Sequence, residues 1–239
     1  MQTLDASLYP VIFARKSTRT YRDDPMPQET EDKLKHFLDG AVPLFPQEKY
    51  AFDIVPHADN TRKIAAYAEE TMPAYINLAF MLQQADLFLQ ANGLGALWLG
   101  MDKPTPPGHG DLPYGISLVF GLAKGSPVRE SIGQFKRRAS QQISNRTDFP
   151  FVEAVRLAPS AGNRQPWYLM CEDGSVDFYC KNSGLVLRRL YHNLPWFDIG
   201  IAACQAVLAL QSGLAAPEAE IKPLAPKLSG YSYAMSLQY

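Results

Sequence analysis

Two long, almost wholly apolar segments constrain this chain more than anything else in it. One runs from Tyr75 to Asn92 and ends on Gly93-Leu94; the other runs from Trp196 to Ser212 and ends on Gly213-Leu214. Apolar residues lie on most faces of both, so each predicts a buried helix closed by a glycine C-cap. Laid side by side, Tyr75 falls on Trp196, Asn77 on Asp198, Gln84 on Gln205, Leu87 on Leu208 and Gln90 on Gln211, with one residue inserted before the Gly-Leu pair. Chance likeness between two apolar helices explains the spacing of Leu and Ala. It explains the shared glutamines, the aromatic start and the Gly-Leu end poorly.

The surroundings of the two helices repeat as well. In the first half an amphipathic stretch from Glu29 to Leu38 leads through Ala41-Val42-Pro43 to a strand-like Tyr50–Val55. In the second, Phe151–Ala158 leads through Pro159-Ser160 to strands at Tyr168–Cys171 and Val176–Cys180, with Asp173-Gly174 as a hairpin turn between them. Each half closes on a strand, Gly115–Phe120 in one and Tyr231–Leu237 in the other. The expectation is an α+β fold by internal duplication, two fused helix-strand-helix-strand halves divided as residues 1–145 and 146–239. A chain of 239 residues can bury one substantial core, or two small ones sharing an interface.

Two short segments carry candidate chemistry. Arg15-Lys16-Ser17-Thr18-Arg19-Thr20-Tyr21-Arg22 gathers cations and hydroxyls that suit a phosphate or another small anion. Pro159-Ser160-Ala161-Gly162-Asn163-Arg164-Gln165-Pro166-Trp167 stops a helix, lets backbone come close to something flat, and adds the amides of Asn163 and Gln165. Pro166 then forces an extended exit. Taken singly, the first reads equally as a solvated basic turn and the second as an ordinary helix-to-strand loop.

Together the two segments resemble the nitroreductase family of FMN-dependent flavoproteins, with its R-x-S-x-R and P-S-x-x-N-x-Q-P-W elements. Arg15, Ser17 and Arg19 fit the first pattern; Pro159, Ser160, Asn163, Gln165, Pro166 and Trp167 fit the second. The order matches, but the separation is far too long for a simple member. Such proteins are usually homodimers with FMN at the subunit interface, arginines from one chain and the Pro-Ser loop from the other. A duplicated chain mimicking that dimer in one polypeptide accounts for the spacing and resembles a smaller branch of the family.

The resemblance implies further site residues. Gly93-Leu94-Gly95-Ala96-Leu97-Trp98-Leu99-Gly100 looks like the family's G-L-G-x-x-W-x-G segment, whose backbone approaches the flavin ring. Lys136 and Arg138 are the better phosphate candidates within Lys136-Arg137-Arg138. Lys16 or Arg19 is the cation expected near flavin N1 and O2, and Ala161 belongs to the loop that faces the ring. For both the glycine segment and the basic cluster a plain structural reading stands beside this one, as a helix cap and a solvated turn. The loop at 41–47 has lost its Ser and Asn, and half two lacks a partner for the Arg15 cluster, so one flavin per chain is expected. The implied activity is hydride transfer from NAD(P)H to FMN, then to a small acceptor such as a nitroaromatic or quinone. No side chain stands out as an acid, base or nucleophile; the cofactor carries the reaction. The alternative is a flavin-binding or flavin-free module of the same fold without turnover.

Composition narrows partners. A formal charge of -1 argues against electrostatic attraction to nucleic acid or an anionic membrane. Tyr75–Gly100 is too interrupted by polar residues to span a bilayer, and no other apolar run reads as long enough. The first residues lack a signal peptide's basic start and apolar core. Three cysteines, Cys171, Cys180 and Cys204, form no disulfide framework, so a reducing cytoplasm is the expected setting. The histidines His36, His57, His109 and His192 are scattered without metal-ligand spacing. No G-x-G-x-x-G element follows a strand, so the nicotinamide is expected to enter the same open face as the acceptor. Both a monomeric pseudo-dimer and a homodimer fit.

Overall fold

The molecule is organised around two crossing helices, α2 (Met72–Ala91) and α4 (Leu194–Ser212), in a computed structural model that describes residues 1–58, 60–102, 108–182, 193–213 and 215–239. Each begins with a proline in its first turn, where the missing N–H costs nothing. Thr71 caps α2 by accepting from Ala74 N–H. Its far end closes on Gly93, at φ +76°, with Leu94 N–H reaching Leu89 O and Gly93 N–H reaching Gln90 O. That is a Schellman closure, and it needs a residue that tolerates positive φ. The helices approach most closely at Gly200: a Cβ there would stand 2.1 Å from Ile76 O. Only glycine fits that contact.

A sheet flanks each long helix. The first runs β1 (Tyr50–Pro56), β2 (Arg62–Ala68), β5 (Leu112–Gly121), β3 (Gly95–Leu99), all antiparallel, with the two-residue β4 (Gly108–His109) also on β5. The second runs β6 (Trp167–Glu172), β7 (Ser175–Lys181), β9 (Tyr231–Gln238), β8 (Glu218–Glu220). Two shorter helices, α1 (Gln28–Asp39) and α3 (Pro150–Leu157), lie against α2 and α4 respectively. Pro159 ends α3 by holding Ala158 extended. The α+β fold is the one expected, and the hairpin turns at Gly174, φ +84°. The stretch 215–228 contributes β8 to the second sheet.

The halves are stitched together by crossing segments. The N-terminus reaches into the second half, where Leu4 N–H donates to Gln211 Oε1 at 2.9 Å. In return, residues after β5 pass from one half to the other. Ser144 bridges Leu169, and Asn145 exchanges hydrogen bonds with Cys171 N and O.

One expectation needs correcting. Helix α4 is long and apolar enough to cross a bilayer, with mean hydropathy 1.3. In the structure 83% of that window is buried against the protein, which makes it a core helix. The three cysteines are free and buried. No cluster of metal-ligating side chains occurs among the described residues, and His192 lies outside them.

Candidate functional site

The N-terminal segment is laid along β3 as an extra strand. Ser17 pairs with Ala96 in parallel, and Thr18 N–H donates to Ala96 O at 2.9 Å. Gly95 permits this approach, since a Cβ there would come within 2.5 Å of the Thr18 side chain. From Leu97 onward β3 turns its residues to a crevice of about 1140 Å³. Lys16, Ser17 and Arg19 line one side of it, Leu97–Asp102 another, and Pro159–Asn163 with Asp198 a third. The cation segment and the Pro-Ser loop, more than a hundred residues apart in sequence, therefore share one volume. Its size falls near the upper end of ordinary small-molecule sites.

Charge in the crevice is lopsided. Lys16, Arg19, Arg129, Lys136 and Arg137 line it, against the acids Asp102 and Asp198. Asp102 is already neutralised. Burial works against its charge, but Lys63 Nζ at 2.6 Å and Ser117 Oγ at 3.2 Å outweigh this and lower its pKa. The arginines crowd one another. Burial, then Arg15, Arg129 and Arg156, depresses Arg137 to about 10; burial, then Arg15, lowers Arg129 as well. A guanidinium stays charged under such pressure, so this side of the crevice is positive.

The Pro-Ser loop is held open by its own polar residues. Ser160 Oγ accepts from Gln165 N–H at 2.9 Å, and Asp198 Oδ1 accepts from Ala161 N–H at 2.9 Å. Gly162, Asn163 and Gln165 all take positive φ, of 58°, 55° and 49°. Arg137 fixes this bend, donating to Asn163 Oδ1 at 2.8 Å and to the α3 carbonyls of Leu157 and Ala158. Asp198 itself is only 4% exposed, and burial pushes its carboxyl up to about 8 against the opposing pull of Ala161 N–H and Arg164.

The structure redistributes the expected site residues. Lys16, Ser17, Arg19, Leu97, Lys136, Pro159, Ser160, Ala161 and Asn163 line the crevice. Arg15 does not. It is 1% exposed, its Nε donates to Asp86 Oδ2 at 2.7 Å, and its Nη atoms point to Ser17 Oγ. Asp86 also accepts from Trp98 and Gln90, so Arg15 anchors the floor behind the crevice. Gly93 and Leu94 cap α2, as the plain reading of that segment had it, whereas Gly95 and Ala96 meet the N-terminal segment at Ser17 and Thr18. Arg138 is replaced on the wall by Arg137; its backbone N–H instead donates to Gln165 Oε1 at 2.8 Å, which keeps Gln165 buried in the loop. Trp98 lines the crevice, whereas Trp167 is a core residue.

A family model described as "Putative TM nitroreductase" matches residues 7–210. The chain belongs to that family. A solved putative nitroreductase from Thermotoga maritima is similar at 22% identity and a TM-score of 0.70, covering 97% of this chain and 93% of that one. A nitroreductase with bound FMN from Desulfitobacterium hafniense matches at 11% identity and a TM-score of 0.47, over 61% of this chain and all of that one. A putative NADH oxidase from Clostridium acetobutylicum matches at 16% and 0.44, over 57% and 99%. None of the curated proteins matches.

For this nitroreductase-family chain, reading the sequence missed Arg129 and noted Asp198 only as the counterpart of Asn77. Arg129 stands alone between Val128 and Glu130 and joins the site only because Arg129 N–H donates to Ala14 O and its Nη1 to Arg15 O. No local pattern announces it. Asp198 had a signal: it is the one acid inside an otherwise apolar helix, at the position where the first half has Asn77.

Proposed function

We propose that this chain is an FMN-dependent oxidoreductase that takes hydride from NAD(P)H and passes it to a small acceptor, a nitroaromatic or quinone. The observation that carries the reading is the shared crevice, with an anion-seeking group of cations beside a bend of exposed backbone and a strand edge. The residues fit a flavin mononucleotide. Lys16, Arg19, Arg129 and Lys136 would hold its phosphate, since they line one crevice and a phosphate would pair with their charges. The Ser160–Asn163 bend and Leu97–Gly100 would border its ring. Bound there, FMN would accept and release hydride and electrons, chemistry that no side chain of this protein supplies.

The chain's own tasks are then to neutralise, orient and exclude water. Arg15 and Asp86 keep the floor rigid beneath Ser17. Arg137 holds the bend without spending its charge on solvent. Burial of α4 along the other side leaves one open face for both nicotinamide and acceptor. One flavin per chain, a pseudo-dimeric monomer and a cytoplasmic setting complete the proposal. Purified protein incubated with FMN should turn yellow, bleach anaerobically with NADH or NADPH, and regain its colour with a quinone or nitroaromatic. Protein that stays colourless defeats the cofactor assignment. Protein that binds FMN but is not bleached is a flavin-binding module without turnover.

A further inference from the structure

We propose that Asp198 is the general acid of the crevice, giving its proton to the acceptor as that molecule is reduced. Three features of its placement lead there. It stands in the first turns of α4 with its carboxyl on the crevice wall, 4% exposed. Among the described residues it forms no ion pair, and its one hydrogen bond comes from Ala161 N–H to Oδ1 at 2.9 Å. Oδ2 has no hydrogen-bond partner among the described residues. Asp102, the other acid on the wall, is spoken for by Lys63 and Ser117.

The tether to the loop does not by itself call for an acid. In the first half Asn77 occupies the matching position on α2, and its Oδ1 accepts from Leu44 N–H and Phe45 N–H at 2.8 and 2.9 Å. A neutral amide performs that task, so the carboxyl at 198 has a property the tether leaves unused. The groups that face it decide its charge. Arg164 on the loop favours the anion, as does Ala161 N–H. Burial opposes them and prevails, lifting the carboxyl to about 8. Cys180 on β7 is also held up, by burial and then by Asp198, at about 12, and stays a neutral thiol. A carboxyl near 8 keeps its proton at neutral pH and sits close to the ideal value for acid catalysis.

The step balances simply. Two-electron reduction of a quinone or nitro group adds one hydride and one proton. The hydride comes from the reduced flavin of the function proposed above, on which this inference rests. The Asp198 O–H bond breaks as an O–H or N–H bond forms on the acceptor. The carboxylate left behind retains Ala161 N–H and recovers a proton from water.

Asp198→Asn tests this, because the amide keeps the oxygen that accepts from Ala161. In flavin-free protein at neutral pH, the infrared spectrum of the wild type minus that of Asp198→Asn should contain a protonated-carboxyl band that disappears as pH is raised. In flavin-loaded protein, kcat with a quinone should fall as pH rises through about 8, and Asp198→Asn should lower kcat roughly 100-fold and abolish that limb, with FMN Kd little changed. A missing carboxyl band, or a variant that keeps both kcat and the alkaline limb, overturns the assignment. Wild-type protein that binds no FMN overturns the flavin reading and the donor role together; bound flavin with unaltered kcat overturns the donor role alone.

Discussion

Replacing Asp198 by Asn in the flavin-free protein should change how stability depends on pH more than it changes stability in acid. Burial lifts the Asp198 carboxyl from 3.8 to about 8 in the folded chain. Unfolding returns it to water, where it ionises near about 4. Between those values the folded state holds a proton that the unfolded state has lost. Wild-type stability from this group is therefore fully present below about pH 4 and drains away as pH rises to about 8. One proton is worth about 1.4 kcal/mol per pH unit, so the ceiling between about pH 5 and about pH 8 is close to 4 kcal/mol. The amide carries no such proton and keeps the bond to Ala161 N–H. At roughly 2–4 °C per kcal/mol for a chain of this size, the variant should gain on the wild type by about 8–16 °C across that window. Thermal and urea melts of both proteins at matched pH values measure the divergence. Parallel stability profiles would show that Asp198 is already ionised in the folded protein at about pH 5, and the reasoning about its burial fails.

Other outcomes follow from packing and pairing. Arg15→Met leaves Asp86 buried without its cation and should cost about 3–5 kcal/mol in urea unfolding of the flavin-free protein; a cost below about 1 kcal/mol would return Arg15 to the role of a ligand-binding side chain. Gly200→Ala drives a methyl to 2.1 Å from Ile76 O and should destabilise by at least the roughly 1–3 kcal/mol typical of overpacking, read as a fall in Tm. An unchanged Tm would mean that α2 and α4 do not meet there.

What the sequence made legible is what periodicity and punctuation encode. The long helices, α1, and the hairpin at Asp173-Gly174 announce themselves by apolar spacing, prolines and glycines. Strand β2 does not. Its Lys63-Ile64-Ala65-Ala66-Tyr67-Ala68 run is buried on both faces, with Lys63 covered by Asp102, so it lacks the alternation of a half-exposed strand. Strand β3 was hidden by its glycine, which reads as a loop residue but is there to admit Thr18. The choice between Arg137 and Arg138 turned on the local path of the chain. Arg137 faces the α3 carbonyls, and its neighbour presents only a backbone N–H to Gln165. No composition rule separates two adjacent arginines.

The contrast between the two loops explains why the one at 159–163 lines the crevice and the one at 41–47 does not. At 41–47 the loop turns its amides inward. Asn77 takes the N–H groups of Leu44 and Phe45, and Gln84 both accepts from Val42 N–H and donates to Val42 O. Leu44 and Phe45 are themselves buried, so this loop has joined the core and has few donors left for a ligand. At 159–163 only Ala161 N–H is taken by the long helix, and Gln205, the residue matching Gln84, has no partner among the described residues. The second loop is therefore held from its own side, by Ser160, Gln165 and Arg137, and stays at the surface of the cavity. The same helix position thus does opposite work in the two halves. Asn77 pulls its loop shut with two bonds, whereas Asp198 makes a single bond to a loop that stays on the crevice. The two tethers thus leave one loop in the core and the other on the crevice, and they differ in one residue, an amide at 77 and a carboxyl at 198.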